Sequence, residues 1–536
     1  MSPENTLGDA GLRVLVCEKI APGGVDYLSE RFAVDVELGL DAEALGERIG
    51  DYDAIVVRSA TKVTADLIAK AGRLKVVGRA GTGVDNVDVE AATRRGIIVC
   101  NAAGSNSLSA AEHAIALMLS QARNVAQAHS SLVAGRWDRS KYGGIEITGK
   151  TLGVMGFGRI GQMVAERAKG LGMHVVAYDP FVTEHRYREL GVEQAATPEA
   201  LYAVADFVTL HLASTPETRG SIGREAFAAM KPGARLINAA RGDIVDTDAL
   251  VEALTSGHLG GAGIDVFPQE PTTESPLFGL PGVVVTPHLG ASTSEAQDRA
   301  GVVVAEQVAA ALTGGVVTSA VNIPAVGAEA LEVLGPFLPL AGQLARLLVT
   351  LSDDLDSPLE ISYEGQLANL DTRLLTSAVL AGVLYGRVDD AVNIVNAGAL
   401  ASERGIVWTE TSSPQARDYT NRLTLRLGDV SVGGTTVGTT SRPRLVLAFD
   451  QEIDIELARY IGILRYLDVP GQVGRVGTIL GEEKVNIASA AVSRSRAEGG
   501  AVMAITVDSP VAAQATERIA ALDGFEDVRF ADLGGA

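Results

Sequence analysis

Cysteine is scarce in this sequence of 536 residues, which contains only Cys17 and Cys100. Both lie in apolar, strand-like runs (VLVCE and IIVCN), where a buried free thiol is the ordinary interpretation. Two isolated thiols cannot form a metal cluster, and the sequence has neither a CxxC pair nor an HExxH stretch. We therefore expect no metal site.

Positive charge is also scarce, since 45 Lys and Arg residues face 66 Asp and Glu residues, which gives a formal net charge of −21. A chain of this sign is poorly suited to neutralising nucleic-acid phosphates or docking on an anionic membrane. No apolar run approaches the roughly 18 residues that a membrane span needs. The N-terminal segment MSPENTLGDAG lacks the basic flank and apolar core of a signal peptide, so the expected location is the cytoplasm, without nucleic-acid or membrane partners.

The length is enough for roughly three or four domains, and the apolar fraction of 47% suits globular cores. Between Leu12 and Asn101, short β-branched runs such as DAIVVRS and GIIVCN alternate with helical stretches such as TADLIAKAG. This rhythm predicts an α/β domain with a parallel sheet. A long helix is expected at about 105–123, because Ser109 and Glu112 form an S-x-x-E capping box ahead of AIALML.

A second α/β pattern opens with KTLGVMGFGRIG and continues through the strand-like segments DFVTLHL, ARLINAAR, GAGIDVF and VVVTPH. A helix is expected near 294–313, and the NIPAV segment at 322–326 is typical of a linker. Beyond it, 328–460 predicts a mixed α+β region without a chemical motif. The last segment, 461–536, has the β-α-β-β-α-β order of a small ferredoxin-like domain.

A GxGxxG motif is formed by Gly156, Gly158 and Gly161. Glycine is abundant here, with 60 residues, so the spacing alone is weak. Its context is informative, because the strand TLGVM precedes it and the helical stretch QMVAERAKGLG follows. Backbone amides at such a helix start can bind a pyrophosphate, and the missing side chains allow close approach. The motif therefore predicts a dinucleotide site rather than only a tight glycine turn.

The strand HVVAYD ends in Asp179, eighteen residues after Gly161. A carboxylate there can accept hydrogen bonds from an adenosine ribose and would repel a 2′-phosphate, which favours NAD over NADP. Arg186 and Arg188 lie close enough in sequence to leave NADP open as an alternative.

Seven histidines are candidates for a general base. His288, in VVVTPHLGAST, directly follows a strand and precedes a glycine-containing loop, where α/β sheets present functional groups. His211 also ends a strand and is its main competitor. The others fall in helical or turn patterns, where packing or surface exposure is expected: His113, His129, His174, His185 and His258.

The segment from Arg58 to about Val326 resembles the D-isomer-specific 2-hydroxyacid dehydrogenase family. The resemblance is carried by NAARGDIVD around Arg241, GAGIDVFPQEP around Glu270 and TPHLGAST around His288, in that order and spacing. It implies that Arg241 binds the substrate carboxylate, His288 is the acid/base, and Glu270 orients His288. The residue types suit these roles, since guanidinium grips a carboxylate with two donors and a carboxylate fixes the imidazole tautomer.

The same resemblance implies NAD as cofactor and a set of cofactor contacts. These are Thr82, Gly156, Gly158, Arg159, Ile160, Gly161, Asp179, Leu212, Ala239, Ala240, Arg241, Asp265, His288, Leu289, Gly290 and Ala291. On the substrate side it implies Arg58 and Asn106, together with Arg241 and His288. Arg139 and Lys141, contributed by a neighbouring subunit or by the same chain, are further candidates for a substrate phosphate.

The segment from Ile461 resembles an ACT domain, a regulatory fold that binds amino acids, through RYLDVPGQVGRVGTIL and VNIASAAVS. The whole-chain order resembles the long members of the family, which oxidise 3-phospho-D-glycerate with NAD in the first step of L-serine biosynthesis. That resemblance implies a homo-oligomer, expected to be a tetramer. It also implies L-serine as effector, held by Tyr466, Asp468 and Asn486, although a turn Asp and a strand-capping Asn remain the structural alternative.

The intermediate region offers Arg442, Arg444 and Arg459 as candidates for a second effector, with plain surface solvation as the favoured alternative. The resemblance implies four domains: a flavodoxin-like substrate domain (12–104 and 299–325), an inserted Rossmann-type NAD domain (105–298), an α+β intermediate domain (326–459) and a ferredoxin-like ACT domain (460–536). Two rival functions stay open. One is oxidation of another D-2-hydroxyacid, and the other is a non-catalytic NAD-sensing binding protein.

Overall fold

The computed structural model describes residues 11–324, 326–388, 391–494 and 499–534. In these ranges the chain forms four separate sheets of five, seven, six and four strands, in chain order. None of the described helices has the length and apolar character to cross a membrane. The predicted domain bounds stay a proposal, which the four sheets support.

The first sheet is parallel throughout and has the strand order β2-β1-β3-β4-β5. Its central strand β3 is buried on both faces, as expected of a parallel sheet covered by two helix layers. The edge strand β2 was not predicted. The elements are β1 Arg13–Val16, α1 Pro22–Ser29, β2 Ala33–Val36, α2 Ala42–Arg48, a 3₁₀ turn Ile49–Asp51, β3 Ala54–Val57, α3 Ala65–Lys70, β4 Val76–Arg79, α4 Val89–Arg94 and β5 Ile98–Asn101.

The second sheet is also parallel, with the order β12-β11-β10-β9-β6-β7-β8. The order reverses beside β6, at the position where dinucleotides bind in such sheets. The elements are α5 Ser107–Ala122, α6 Val125–Val133, a 3₁₀ turn Arg139–Tyr142, β6 Thr151–Met155, α7 Arg159–Gly170, β7 His174–Tyr178, α8 Glu184–Leu190, β8 Glu193–Gln194, α9 Pro198–Val204, β9 Phe207–Leu210, α10 Arg224–Ala229, β10 Arg235–Asn238, a 3₁₀ turn Gly242–Ile244, α11 Thr247–Thr255, β11 Gly261–Ile264, β12 Val283–Val285 and α12 Ser294–Leu312.

Two helices, α5 and α12, connect the first two sheets. Helix α5 leaves the first sheet and packs on α7 and β11 of the second, whereas α12 returns and packs on α1 and β4. The predicted capping box at the start of α5 is wrong. The helix begins after Asn106, and Ser109 lies inside it with its hydroxyl 2.8 Å from the Thr293 hydroxyl. The Ser109 side chain is therefore satisfied by α12 rather than by its own helix.

The third sheet is mixed, with the order β14-β13-β15-β16-β17-β18, and only β13 and β14 run parallel. The fourth is antiparallel, with the order β20-β21-β19-β22 and two helices. The elements are α13 Ala328–Leu334, α14 Phe337–Leu351, β13 Leu359–Gly365, a 3₁₀ turn Gln366–Asn369, α15 Arg373–Leu384, α16 Ala397–Glu403, β14 Trp408–Ser413, β15 Asn421–Leu427, β16 Val430–Val437, β17 Arg442–Ala448, β18 Gln451–Glu456, β19 Tyr460–Leu467, α17 Gln472–Glu482, β20 Ile487–Arg494, β21 Gly500–Val507, α18 Ala513–Ala520 and β22 Phe525–Asp532. The predicted fold class, including its ferredoxin-like end, is confirmed.

Candidate active site

The predicted cofactor and catalytic residues share one structural position, since each follows the carboxyl end of a parallel strand. Thr82 follows β4, the glycine motif follows β6, and Asp179 follows β7. The second group follows β9 to β12 in turn: Leu212, then Ala239, Ala240 and Arg241, then Asp265 and Glu270, then His288, Leu289, Gly290 and Ala291. Because parallel strands of one sheet end on the same side, the residues that follow β6 to β12 lie along one side of the second sheet, and Thr82 lies at the corresponding side of the first.

His288 and Glu270 form the shortest polar contact of this cleft, with Nδ1 of the imidazole 2.5 Å from Oε2 of the carboxylate. The hydrogen bond to Glu270 raises the pKa of His288 against the opposing effect of burial. Burial alone would raise the pKa of Glu270, but hydrogen bonds from His288 and the Phe267 backbone N–H outweigh it and lower that pKa. A carboxylate on Nδ1 keeps the proton there, so the Nε2 lone pair of neutral His288 is free to accept a proton.

The backbone of His288 is held in an uncommon conformation, with φ +55°. Its N–H donates to the Asp265 carbonyl at 2.8 Å. The Asp265 carboxylate is fully buried and accepts backbone N–H bonds from Leu289 at 2.7 Å and Gly290 at 2.9 Å. Asp265, predicted as a cofactor contact, is thus also the residue that holds the loop carrying His288.

Arg241 points into the same cleft. Its Nη1 donates to the Ala240 carbonyl at 2.8 Å, and its Nη2 lies 3.5 Å from the exposed Asp85 carboxylate. An exposed pair of this kind is weak, so a substrate carboxylate can replace Asp85 on the guanidinium. Across the cleft, the Thr82 hydroxyl donates to the Asn106 side-chain oxygen at 2.7 Å.

The cleft has a volume of about 1260 Å³ and is lined from both of the first two sheets. Of the predicted catalytic and substrate residues, Arg58, Asn106, Arg241, Glu270 and His288 line it, and their roles stay predictions. Most of the predicted cofactor contacts do not line it, among them Thr82, the glycine motif, Asp179, Leu212 and Asp265. Arg139 and Lys141 do not line it, because they lie on the exposed 3₁₀ turn after α6.

Arg79, which the sequence reading did not single out, also lines the cleft. Burial lowers the pKa of this guanidinium, and its buried Nε has no hydrogen-bond partner within the described protein. The run GRAGTG at the end of β4 was the available signal, because a cation at a strand end faces the same edge as the catalytic residues.

The glycine motif has the geometry of a nucleotide cradle. Gly156 has φ +88°, and a Cβ on Gly161 would lie 2.1 Å from the Gly156 carbonyl oxygen, so both positions require glycine. Gly158 has open space where a Cβ would stand, directly before the twelve-residue helix α7. Backbone donors and open space are what a pyrophosphate needs, so the motif fits NAD. Arg159 and Ile160 begin the helix at this point.

Asp179 lies beside the glycine turn, at the end of β7. Its carboxylate accepts N–H bonds from Phe157 and Phe181, both at 2.9 Å, which fixes it beside the glycine turn. Of the two residues that left NADP open, Arg186 donates to Gln162 and pairs with Glu189 at 2.8 Å, and Arg188 lies 3.7 Å from Glu184.

His211, the competing base, directly follows β9 and is half-buried, with its Nε2 3.0 Å from the Thr209 hydroxyl. Desolvation lowers the pKa of His211 to about 4, so its imidazole is uncharged near neutral pH. His211 also does not line the cleft. His113, expected to be a packing residue, lies 3.1 Å from the Asp265 carboxylate. The helical periodicity of α5 shows only which face of the helix is buried. It could not indicate this contact, because Asp265 belongs to a distant loop that follows β11.

The three predicted effector residues do not come together in one chain. Tyr466 is buried and stacks on Phe525, Asp468 pairs with Arg494 at 3.0 Å, and Asn486 donates to Asp508 at 2.7 Å. The register places Asp468 and Asn486 beyond opposite ends of β21, beside Gly499 and Asp508, roughly 30 Å apart along the strand at about 3.4 Å per residue. Among the second-effector candidates, Arg444 pairs with Asp454 and Arg459 with Asp532, on exposed carboxylates.

These features define the class of protein: an NAD-dependent oxidoreductase with a Rossmann-type sheet and a histidine–carboxylate pair at its edge. Three family models match the chain. They describe the NAD-binding domain of D-isomer-specific 2-hydroxyacid dehydrogenases (residues 115–290), the D-3-phosphoglycerate dehydrogenase intervening domain (333–448) and the ACT domain (459–524).

Named proteins and a solved structure are similar to this chain. A D-3-phosphoglycerate dehydrogenase of Mycobacterium leprae is 45% identical over 93% of this chain and 95% of its own, and one of Methanocaldococcus jannaschii is 41% identical over 97% and 100%. The solved TT0316 protein of Thermus thermophilus is 38% identical, with a TM-score of 0.53 over 58% of this chain and all of its own. The chain belongs to the D-3-phosphoglycerate dehydrogenase family.

Proposed function

We propose that this protein oxidises 3-phospho-D-glycerate to 3-phosphohydroxypyruvate with NAD, in the cytoplasm, as the first step of L-serine biosynthesis. The observation that carries the proposal is the placement of Arg241, His288 and Glu270 in one cleft, to which the first sheet contributes Arg58 and Arg79. A substrate that carries both a carboxylate and a phosphate matches a cleft lined by cations from both sheets.

The roles of the residues follow from their atoms. Arg241 holds the C1 carboxylate and polarises the forming carbonyl, for which its planar fork is suited. The free Nε2 of His288 takes the proton of the 2-hydroxyl, and Glu270 stabilises the imidazolium that forms. Bound NAD supplies the hydride acceptor. Arg58 and Arg79 hold the phosphate, and the open space at Gly158 admits the pyrophosphate of the cofactor.

The direct test is oxidation of NADH in the presence of 3-phosphohydroxypyruvate. His288→Asn should lower kcat by about 100-fold or more, with NADH binding retained, because general acid–base catalysis contributes at that scale. His174→Asn is the matched control, since His174 begins β7 at the opposite edge of the same sheet. Turnover with unphosphorylated ketoacids alone would move the assignment to another D-2-hydroxyacid, and no turnover with any ketoacid would favour an NAD-sensing binding protein.

We further propose that L-serine inhibits the enzyme through the ACT domain. Because Asp468 and Asn486 lie at opposite ends of β21, one effector site would combine Tyr466 and Asp468 of one chain with Asn486 of a second copy. L-Serine should therefore lower the rate in the wild type and fail to do so in Asp468→Ala. Equal inhibition of both proteins, or of neither, would contradict this site.

The exposed face of α6 supports the proposal of a homo-oligomer, expected to be a tetramer. Val125, Leu132 and Val133 are exposed there, and Trp137 directly after the helix is 82% exposed. A contiguous apolar face of this kind is typical of a protein–protein interface. Trp137→Glu should lower the mass measured by light scattering, whereas Phe181→Glu, at another exposed aromatic residue, should not.

A further inference from the structure

His113 makes a polar contact that the reaction described so far does not use. Its Nε2 lies 3.1 Å from Oδ1 of Asp265 and 3.0 Å from the Thr286 hydroxyl oxygen. The Thr286 hydroxyl donates to the same Asp265 oxygen at 2.6 Å. The three side chains thus form a closed triangle, in which the Asp265 carboxylate is fully buried.

The chemistry of the triangle fixes which atom donates. Burial alone would raise the pKa of Asp265, but hydrogen bonds from His113, Thr286 and the Leu289 backbone outweigh it and lower that pKa. An ionised carboxylate only accepts hydrogen bonds. Because the Thr286 O–H already donates to Asp265, the proton of the His113–Thr286 hydrogen bond must sit on Nε2 of His113, which also lies 3.1 Å from the Asp265 carboxylate.

Asp265 fixes the loop of residues 286–293 through hydrogen bonds to its backbone. Its carboxylate accepts from two backbone N–H groups of this loop, directly after His288, and its carbonyl accepts from the His288 N–H. A non-glycine residue at φ +55° is uncommon and persists only where its surroundings fix it. The position of His288 thus depends on how firmly Asp265 itself is held.

Helix α5 contacts this loop at both ends. His113 reaches Thr286 at its start, and Ser109, one helical turn earlier, shares a 2.8 Å hydrogen bond with Thr293 at its end. Residues four positions apart lie on one face of a helix, so a single face of α5 spans the loop. The same helix carries Asn106 at its start, on the substrate side of the cleft.

We infer that His113 is a positioning residue for the reaction: by donating from Nε2 to the Thr286 hydroxyl, beside the Asp265 carboxylate, it holds the loop that sets the place of His288. The inference rests on the proposed role of His288. His113 does not line the cleft and so acts through Asp265 rather than on substrate.

The test compares four variants by kcat, by KM for the ketoacid and by NADH affinity. His113→Leu removes the donor at similar volume, and His113→Gln keeps an N–H donor at a similar reach. Gln121→Leu is the matched control, because Gln121 is a buried polar residue of α5 that donates to Gly282 instead of the loop. His288→Asn reports on the proposed mechanism itself.

We expect His113→Leu to lower kcat about ten- to a hundredfold with NADH affinity retained, since a displacement of about 1 Å has effects of this size. His113→Gln should recover most of kcat, and Gln121→Leu should lower Tm but keep kcat. The inference is overturned if His113→Leu keeps kcat, if His113→Gln is as slow as His113→Leu, or if Gln121→Leu is equally slow. Full activity of His288→Asn would instead overturn the proposed function.

Discussion

Among single residues, the His288–Glu270 pair sets the pH range in which the proposed enzyme works. Oxidation of the hydroxyacid needs neutral His288, so its rate rises with pH as the imidazolium loses its proton. Reduction of the ketoacid needs the imidazolium, so its rate falls as pH rises through the same pKa. Because Glu270 raises that pKa, it favours reduction near neutral pH and moves the onset of oxidation to higher pH.

We predict that Glu270→Gln moves both pH limbs to lower pH. Each unit by which the pKa of His288 falls lowers the imidazolium population about tenfold at higher pH, so the reduction rate above neutral pH should fall accordingly. The measurement is kcat/KM against pH in both directions. Glu274→Gln, in the same exposed loop, is the control. Unchanged limbs in Glu270→Gln would show that the carboxylate does not tune His288.

A second residue-scale prediction concerns cofactor choice. Asp179→Asn keeps a carbonyl oxygen for the N–H groups of Phe157 or Phe181 but removes the negative charge. Hydrogen bonds to a charged group contribute about 1.5–3 kcal/mol, so the NAD-to-NADP ratio of kcat/KM should fall about ten- to a hundredfold. Glu193→Gln, on the neighbouring strand β8, should leave the ratio unchanged. If NADP does not gain on NAD in Asp179→Asn, the carboxylate is not what excludes the 2′-phosphate.

Much of this site could be predicted from the sequence, because the site residues directly follow strands and lie in motifs of fixed spacing. Arg241, Glu270 and His288 could be assigned from their strand ends and the family resemblance, and the structure places them in one cleft. Their roles stay predictions. Arg79 and His113 were missed because their importance depends on which face of a strand or helix meets a distant loop. Periodicity predicts a buried face but not the partner it meets.

At the scale of elements, the turn between β6 and α7 contains one glycine that the fold requires, Gly161, and one that the cofactor is proposed to require, Gly158. A Cβ on Gly161 would collide with the Gly156 carbonyl oxygen, whereas a Cβ on Gly158 would meet no atom within 4 Å. We predict that Gly161→Ala lowers both Tm and NADH affinity, because helix α7 can no longer pack against the turn. Gly158→Ala should lower NADH affinity at unchanged Tm, because its methyl group would enter the space where the pyrophosphate binds.

Calorimetry and a titration of NADH fluorescence would test this pair. Equal NADH affinity in Gly158→Ala and wild type would place the pyrophosphate elsewhere. An unchanged Tm in Gly161→Ala would show that the turn relaxes without cost.

The elements themselves were predicted with uneven success. The inner strands of the first two sheets were predicted because parallel strands buried on both faces give continuous apolar runs. The edge strand β2, with its partly exposed AVDV pattern, gave no such run and was missed. The start of α5 was misplaced because an S-x-x-E pattern also occurs inside helices, where a serine can bond to another element, as Ser109 does.

For the whole molecule, the third and fourth sheets share one hydrophobic core. Alternate residues of the fourth sheet, including Ile461, Ile463 and Val502, pack with Leu340 and Leu344 of α14 in a single cluster. An ion pair between Arg529 and Asp353 lies across the same boundary. The proposed effector, if bound to the fourth sheet, would therefore act on a body that includes the third sheet rather than on a freely tethered domain.

The link from this body to the first sheet is much smaller. Within the described residues, it includes a hydrogen bond from the Asn393 side chain to the Gly96 carbonyl at 2.7 Å, just after α4. Asn322 belongs to the catalytic side of this boundary, because its side chain accepts from Val99 and donates to Ile97 in the first sheet. The chain is therefore divided more sharply near residue 325 than near residue 458.

This contrast predicts how two shortened chains behave. A chain of residues 1–324 keeps the first two sheets and their cores, so it should stay soluble and bind NADH. A chain of residues 1–457 exposes the side of α14 and β18 that the fourth sheet covers, and an apolar surface of that kind promotes aggregation. Light scattering after size exclusion, with thermal unfolding, compares the two. A monodisperse 1–457 chain that unfolds cooperatively would show that the third sheet is stable without the shared core, and coupling between effector and catalytic body would then need another route.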